Sequence, residues 1–235
     1  MAPKQTKEVE AFYEGYYGSV ELAGLRELVA QDCVNNITSM LGNDLGHLVD
    51  VGAGEGALLQ CLTSKGLVTS ASALEVSASG LEKIGNRSNL NLKTLLKFDG
   101  YEMPFNHKEF DTAISVHVVE HVEHERIFLA EIGRIAKRAY LEVPLEGGLR
   151  GRINREYGHI NYYTPLTFLN LLETSGLKVI DYKVFTSSRE YEIYNYGFVM
   201  GGFRSVVRNG LLKCLGNKLA PHLMTYLLGV VVESA

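Results

Sequence analysis

The stretch Leu48-Val49-Asp50-Val51-Gly52-Ala53-Gly54-Glu55-Gly56-Ala57-Leu58-Leu59 constrains the chain more than any other. Leu48 to Val51 contains no turn former and reads as the end of a short buried strand. Gly52, Gly54 and Gly56 then make a turn bare of side chains, and Ala57 to Lys65 resumes as a helix that Gly66 is placed to end. Backbone N–H groups in such a turn can close on a ligand, and the helix N-terminus adds partial positive charge. An anionic group of a cofactor fits there.

Two details narrow the cofactor. Dinucleotide folds favour Gly-x-Gly-x-x-Gly, whereas the third glycine here comes one residue early. Asp50 falls at the strand's carboxyl end, where a carboxylate accepts from an ammonium. The segment resembles the first motif of class I S-adenosylmethionine-dependent methyltransferases, hydrophobic-hydrophobic-Asp-hydrophobic-Gly-x-Gly-x-Gly. A second match follows, in Phe98-Asp99-Gly100-Tyr101-Glu102-Met103-Pro104-Phe105 and then Phe110-Asp111 opening a strand. The resemblance implies that Asp50 and the glycine turn hold the methionine moiety, and that Asp99 and Gly100 meet the adenine. Glu75, at the end of the second predicted strand, is positioned for ribose hydroxyls. The candidate cofactor contacts are Asp50, Gly52, Ala53, Gly54, Gly56, Glu75, Val76, Asp99, Gly100, Ser115 and His117.

Composition excludes several classes. At 235 residues and 46% hydrophobic content the chain fills one α/β core, and its net charge of −4 offers no bulk attraction to nucleic acid. Cys33, Cys61 and Cys214 lack metal-ligand spacing, and their odd number argues against a disulfide framework. A polar N-terminus and the lack of an apolar run long enough for a span point to a reducing, cytoplasmic setting.

The expected architecture is a Rossmann-like, seven-stranded, mostly parallel sheet with helices on both faces and an antiparallel last strand. Residues 1–42 form a helical cap, as helices over 8–30 and 31–41. Residues 43–185 form the cofactor-binding core, and 186–235 a lid or insertion followed by the final strand. Predicted strands run over 48–51, 68–76, 92–98, 110–117, 139–144, 177–185 and 225–233. Ser77 and Thr164-Pro165 are helix-start signals, and residues 128–138 and 203–219 read as further helices. The tyrosines Tyr13, Tyr16 and Tyr17 share one helical face, as part of the core or as a lid over the cofactor.

His117-Val118-Val119-Glu120-His121 spells H-x-x-E-H, an inverted zinc-peptidase pattern. That motif requires both histidines on one helix, and His117 is expected at a strand end, so no metal is expected from it. Residues 145–164 form the longest irregular stretch, leaving the sheet edge where open α/β folds bind ligands. Gly158-His159-Ile160-Asn161-Tyr162-Tyr163-Thr164-Pro165 resembles a segment of small-molecule methyltransferases. His159, then His117, are the candidate general bases for a hydroxyl acceptor. Tyr16, Tyr17, His121, Arg152, His159 and Tyr162 are the candidate substrate contacts. The function implied is methyl transfer from S-adenosyl-L-methionine, with S-adenosyl-L-homocysteine as product, to a small-molecule hydroxyl or amine, by a monomer or homodimer. A NAD-dependent oxidoreductase and a non-catalytic binding homologue are the alternatives.

Overall fold

Strand β1 (His47–Val51) sends alternate side chains to opposite faces, and two separate cores result. Val49 and Val51 enter one core with Phe128, Leu129, Ile132, Phe168 and Leu172. Leu48 enters the other with Val34, Ile37, Leu59, Leu62 and Ile84. The same alternation recurs at Ala113 and Ile114, and at Ala139 and Tyr140. The fold is therefore a sheet between two helical layers.

The computed structural model describes residues 10–14, 23–146 and 158–234. After a helical turn at 10–14 come α1 (Ala23–Leu41), β1, α2 (Ala57–Ser64), β2 (Ser70–Glu75), α3 (Ala78–Asn86) and β3 (Leu92–Lys97). Then follow β4 (Phe110–Val116), a 3-10 turn at Val119–His121, α4 (Glu125–Ile135), β5 (Ala136–Leu145) and α5 (Pro165–Thr174). The chain closes with β6 (Leu177–Phe185), α6 (Arg189–Tyr196), α7 (Phe198–Leu219) and β7 (Tyr226–Ser234). The seven strands are ordered β3-β2-β1-β4-β5-β7-β6. Only β7 runs antiparallel to its neighbours, inserted between β5 and β6. This is the Rossmann-like arrangement expected from the sequence.

Local chemistry sets the element boundaries. Ser77 Oγ accepts from the N–H of Gly80 to start α3, and Thr164 forms a capping box with Thr167 ahead of Pro165 to start α5. Three expectations are corrected. The cap's second helix does not begin at residue 31, because α1 runs unbroken from Ala23 to Leu41. The helix expected over 128–138 ends at Ile135, and β5 starts at Ala136, opposite Phe110. Lys108 holds that junction by donating to the carbonyls of Gly133 and Ala136. The long helix near the C-terminus starts at Phe198 rather than 203. Among the described residues no helix is long and apolar enough to cross a membrane.

Gly229 on β7 sits against Tyr140 and Phe185. A Cβ there would lie 2.5 Å from the Tyr140 hydroxyl and 2.8 Å from a Phe185 ring carbon. Tyr140 is fully buried, so it has nowhere to retreat. Gly229→Ala is expected to destabilise the fold by about 1–3 kcal/mol through overpacking, measured as a lowered urea midpoint at unchanged slope.

Candidate functional site

A cavity of about 700 Å³ opens at the carboxyl ends of the parallel strands. Asp50, Gly52, Ala53 and Gly54 line it from the end of β1, and Glu75 and Val76 from the end of β2. Gly100 follows β3, and His117, Glu120 and His121 follow β4. Phe12 and Tyr13 close it from the N-terminal segment, and Tyr191 and Tyr196 of α6 close it from the C-terminal side.

The glycine turn needs glycines for two separate reasons. Gly52, Gly54 and Gly56 all have φ between 59° and 81°. A Cβ on Gly52 would also sit 2.5 Å from Val118 Cγ2, and one on Gly56 would crowd Ile84 and Arg87. Gly56 packs against α3 and does not line the cavity. Glu75 fixes the turn from the side. Its Oε2 accepts from the Gly54 N–H at 2.9 Å, and its Oε1 accepts from the Ser77 N–H and hydroxyl. Glu55, which the sequence reading passed over, anchors the turn's outer side through Arg26 at 2.8 Å and Lys83 at 3.4 Å.

Asp50 has no such support. It is 2% exposed, and Oδ2 is buried without a hydrogen-bond partner. Burial, with the charge of Glu75 beside it, pushes its pKa up to about 7. A buried carboxylate with an unpartnered oxygen beside a turn bare of side chains is suited to a ligand that brings a cation close to the main chain.

The other half of the cavity is a histidine–carboxylate cluster built by lashing two distant segments together. The N–H groups of Ile160 and Asn161 both donate to the Glu120 carbonyl at 3.0 Å, and Asn161 Nδ2 donates to the Val122 carbonyl at 2.7 Å. His121 and His159 are thereby stacked edge to face, with ring centroids 4.9 Å apart. His121 Nδ1 donates to the Gly158 carbonyl at 3.1 Å, and His159 Nδ1 donates to Glu146 Oε2 at 2.8 Å. Both acceptors can only accept, so both rings carry their lone pair on Nε2. Burial lowers the His121 pKa, which keeps that ring neutral. His117 differs. It stands at φ 57° after β4, with Nδ1 3.5 Å from Glu120 and Nε2 3.7 Å from Glu142. Burial alone would depress its pKa, but Glu120, Glu142 and Glu146 raise it overall. His117 is thereby committed to Glu120 and Glu142, which makes it the weaker candidate for a base.

Some candidates lie elsewhere. Asp99 is exposed and does not line the cavity; its Oδ1 accepts from the N–H groups of Tyr101 and Glu102 and so holds the turn. Ser115 is fully buried and donates to the Val51 carbonyl, tying β4 to β1. Tyr162 is 54% exposed and faces away, whereas Tyr163 is buried and packs on Phe168. Tyr16, Tyr17 and Arg152 lie outside the described residues. No helix runs through His117 and His121; a 3-10 turn stands between β4 and α4. Tyr13, Glu120 and Glu146 belong to the site, although Tyr13 had drawn attention only as part of an aromatic face, Glu120 only within the H-x-x-E-H pattern, and Glu146 not at all.

Comparison with known proteins follows this geometry. Residues 49–139 match a family model described as a methyltransferase domain. No curated protein sequence matches the chain. Among solved structures, the geranyl diphosphate C-methyltransferase of Streptomyces coelicolor, in complex with Mg2+, geranyl diphosphate and S-adenosyl-L-homocysteine, aligns at TM-score 0.68 and 12% identity. That alignment covers 100% of this chain and 99% of that one. A chain of the Haloferax volcanii complex between the Trm112 methyltransferase activator and a methyltransferase aligns at TM-score 0.70 and 15% identity, covering 94% and 97%. A sarcosine dimethylglycine methyltransferase structure from Galdieria sulphuraria aligns at TM-score 0.59 and 16% identity, covering 91% and 87%.

The raised pKa of Asp50 has a consequence for stability. The folded carboxyl keeps its proton up to about pH 7, while the unfolded one releases it near 3.8. The folded state therefore binds more protons in that window, and stability falls as pH rises through it, by at most ~4 kcal/mol. Asp50→Asn is expected to flatten this slope and to leave the ligand-free protein more stable than wild type at pH 8. Urea denaturation at pH 4.5 and pH 8 measures the difference.

Proposed function

We propose that this chain, a member of the class I S-adenosylmethionine-dependent methyltransferases, transfers a methyl group to the hydroxyl of a small-molecule acceptor. The observation that carries this reading is the joint placement of Asp50, with its unpartnered oxygen, and the His121–His159 pair on one cavity. S-Adenosyl-L-methionine fits the first half. Its α-ammonium would satisfy Asp50, its methionine moiety would pass over the side-chain-free turn at Gly52 to Gly54, whose N–H groups donate to Leu74 and Glu75, and its ribose would lie by Glu75. Bound there, it supplies an electrophilic methyl group on a sulfonium.

The chain's own residues then have two tasks, alignment and removal of the acceptor's proton. Tyr13, Tyr191 and Tyr196 line the cavity and shield it from water, with residues 1–42 and 186–235 acting as cover over the 43–185 core. The Nε2 lone pairs of His121 and His159 receive the acceptor hydroxyl. Glu146 fixes the tautomer of His159 and stabilises positive charge near it. An amine acceptor would make less use of this pair, since it needs no carboxylate-backed imidazole.

Calorimetry with S-adenosyl-L-methionine, S-adenosyl-L-homocysteine and NAD separates this reading from an oxidoreductase. Turnover of labelled methyl groups on a panel of hydroxylated metabolites separates it from a binding homologue without activity. Both sulfur ligands are expected to bind in the micromolar range and NAD not at all. Asp50→Ala is expected to weaken S-adenosyl-L-homocysteine about 10–100-fold, the worth of a charge-assisted hydrogen bond. Tight NAD binding, or unchanged affinity in Asp50→Ala, would sink the proposal.

A further inference from the structure

Glu120 is 1% exposed; His117 Nδ1 stands 3.5 Å from its Oε1 as an ion pair, yet neither of its buried oxygens accepts a hydrogen bond of good geometry. An ionised carboxylate taken from water without donors is among the most costly arrangements in a folded chain. Its surroundings supply a reason to keep it. One oxygen of Glu120 and one nitrogen each of His121 and His159 lie within 4.8 Å of one another. All three residues line the cavity.

The two imidazoles are prepared in the manner of ligands. A histidine that binds a metal through one nitrogen almost always donates its other N–H to a carbonyl or a carboxylate. His121 does so to the Gly158 carbonyl at 3.1 Å, and His159 to Glu146 at 2.8 Å. With Nδ1 engaged on both rings, Nε2 is the nitrogen that would bind an ion, and on His121 it now meets the Tyr13 hydroxyl. The Tyr13 hydroxyl stands 3.0 Å from the His121 Nε2, which marks the direction from which an oxygen approaches this cluster. A second grouping, Cys33, His117 and Glu142, is less suited. Glu142 there already accepts from Asn36 at 2.9 Å, and also from Tyr140 and Cys33.

We infer that Glu120, His121 and His159 form a divalent-cation site on the acceptor side of the cavity. Two imidazoles and one carboxylate suit zinc, manganese or iron(II), and three protein ligands leave positions open for oxygen from outside. The ligand atoms would draw together by about 1 Å to reach bonds of about 2.1 Å. This differs from the H-x-x-E-H pattern, because His117 takes no part and His159 comes from a distant loop.

The ion's role toward the acceptor rests on the methyl-transfer reading; its binding does not. With both Nε2 atoms on the ion, the ion would replace the histidines as the group that activates the acceptor: a hydroxyl oxygen bound to it would be acidified, and its proton would pass to water. The oxygen then forms a bond to the methyl carbon as the carbon–sulfur bond breaks, giving an ether and a thioether.

The test uses the full chain, stripped with EDTA and titrated with Mn2+. Binding is followed by electron paramagnetic resonance, and S-adenosyl-L-homocysteine affinity by calorimetry in parallel. Wild type is expected to take up about one Mn2+ per chain, with pulsed spectra showing coupling to imidazole nitrogen. Glu120→Gln and His159→Gln are expected to lose at least about tenfold in Mn2+ affinity. Both should keep S-adenosyl-L-homocysteine affinity within about twofold, and the exposed control His107→Ala should keep both. Nitrogen coupling in wild type carries the test even where a variant fails to fold. Wild type that binds S-adenosyl-L-homocysteine but no Mn2+, or binds Mn2+ without nitrogen coupling, overturns the site and leaves the methyl-transfer reading intact. Mn2+ uptake with nitrogen coupling but no S-adenosyl-L-homocysteine binding supports the site and removes the methyl-transfer reading.

Discussion

Seven carboxylates, those of Asp50, Glu55, Glu75, Glu120, Glu142, Glu146 and Glu192, are each less than 9% exposed around or beneath a single cavity. Concentrating that much negative charge away from water is the constraint to which the rest of the structure answers. Five of the seven are compensated by the chain itself, Glu55 by Arg26 and Lys83 and Glu192 by Arg204 and Arg208. Glu75 accepts from Gly54 and Ser77, Glu142 from Asn36, Tyr140 and Cys33, and Glu146 from His159. Asp50 and Glu120 retain oxygens with no donor. These two stand in opposite halves of the cavity, one by the glycine turn and one by the histidine pair. A fold that leaves buried carboxyl oxygens without donors is less stable than it could be, and functional sites are where such losses are retained.

Topology explains why the carboxylates gather. Asp50, Glu75 and Glu142 sit at or near the carboxyl ends of β1, β2 and β5, and the parallel register brings those ends to one rim. Strand order reverses direction between β1 and β4, which opens a crevice at that rim. Glu142 pairs with Val116 in the β4–β5 ladder, and that register puts His117 beside it. The loop that returns toward α5 is then tied to the 3-10 turn through the Glu120 carbonyl. Among its described residues, Ile160 and Asn161 are held by their own hydrogen bonds rather than by a helix or strand.

Much of this was legible in the chain, and the reasons for the rest are physical. The strands read well because alternate residues feed two cores, and the order of the sheet followed from the resemblance. The strand, turn and helix around Asp50 and the glycines read well because one short segment carries all three, although Gly56 faces α3 rather than the cavity. Asp99 and Ser115 did not, because a polar side chain beside a turn can serve the backbone as readily as a ligand, and here both do. Tyr162 and Tyr163 are adjacent in sequence, and no local signal says which turns inward. Glu120 was read as part of a motif because its isolation depends on what Ile160 and Asn161 do from a distant segment. Glu146 carried no signal at all until His159 was brought to it.

The two halves of the cavity are mechanically joined at one contact. Gly52 belongs to the turn proposed to hold the cofactor, and Val118 lies between His117 and the 3-10 turn that carries Glu120 and His121. A Cβ on Gly52 would fall 2.5 Å from Val118 Cγ2 and 3.0 Å from Cγ1, a distance real atoms do not keep. Val118 is β-branched and held to few rotamers, so it cannot simply turn aside. The glycine at this position is thus required twice, once by its φ of 81° and once by the segment packed on it. In-line transfer depends on a fixed separation between donor and acceptor, and small misplacements are expensive in rate. Direct contact between Gly52 and Val118 sets that separation with no intervening side chain, which explains why the barest residue in the turn faces the element that carries the histidine cluster.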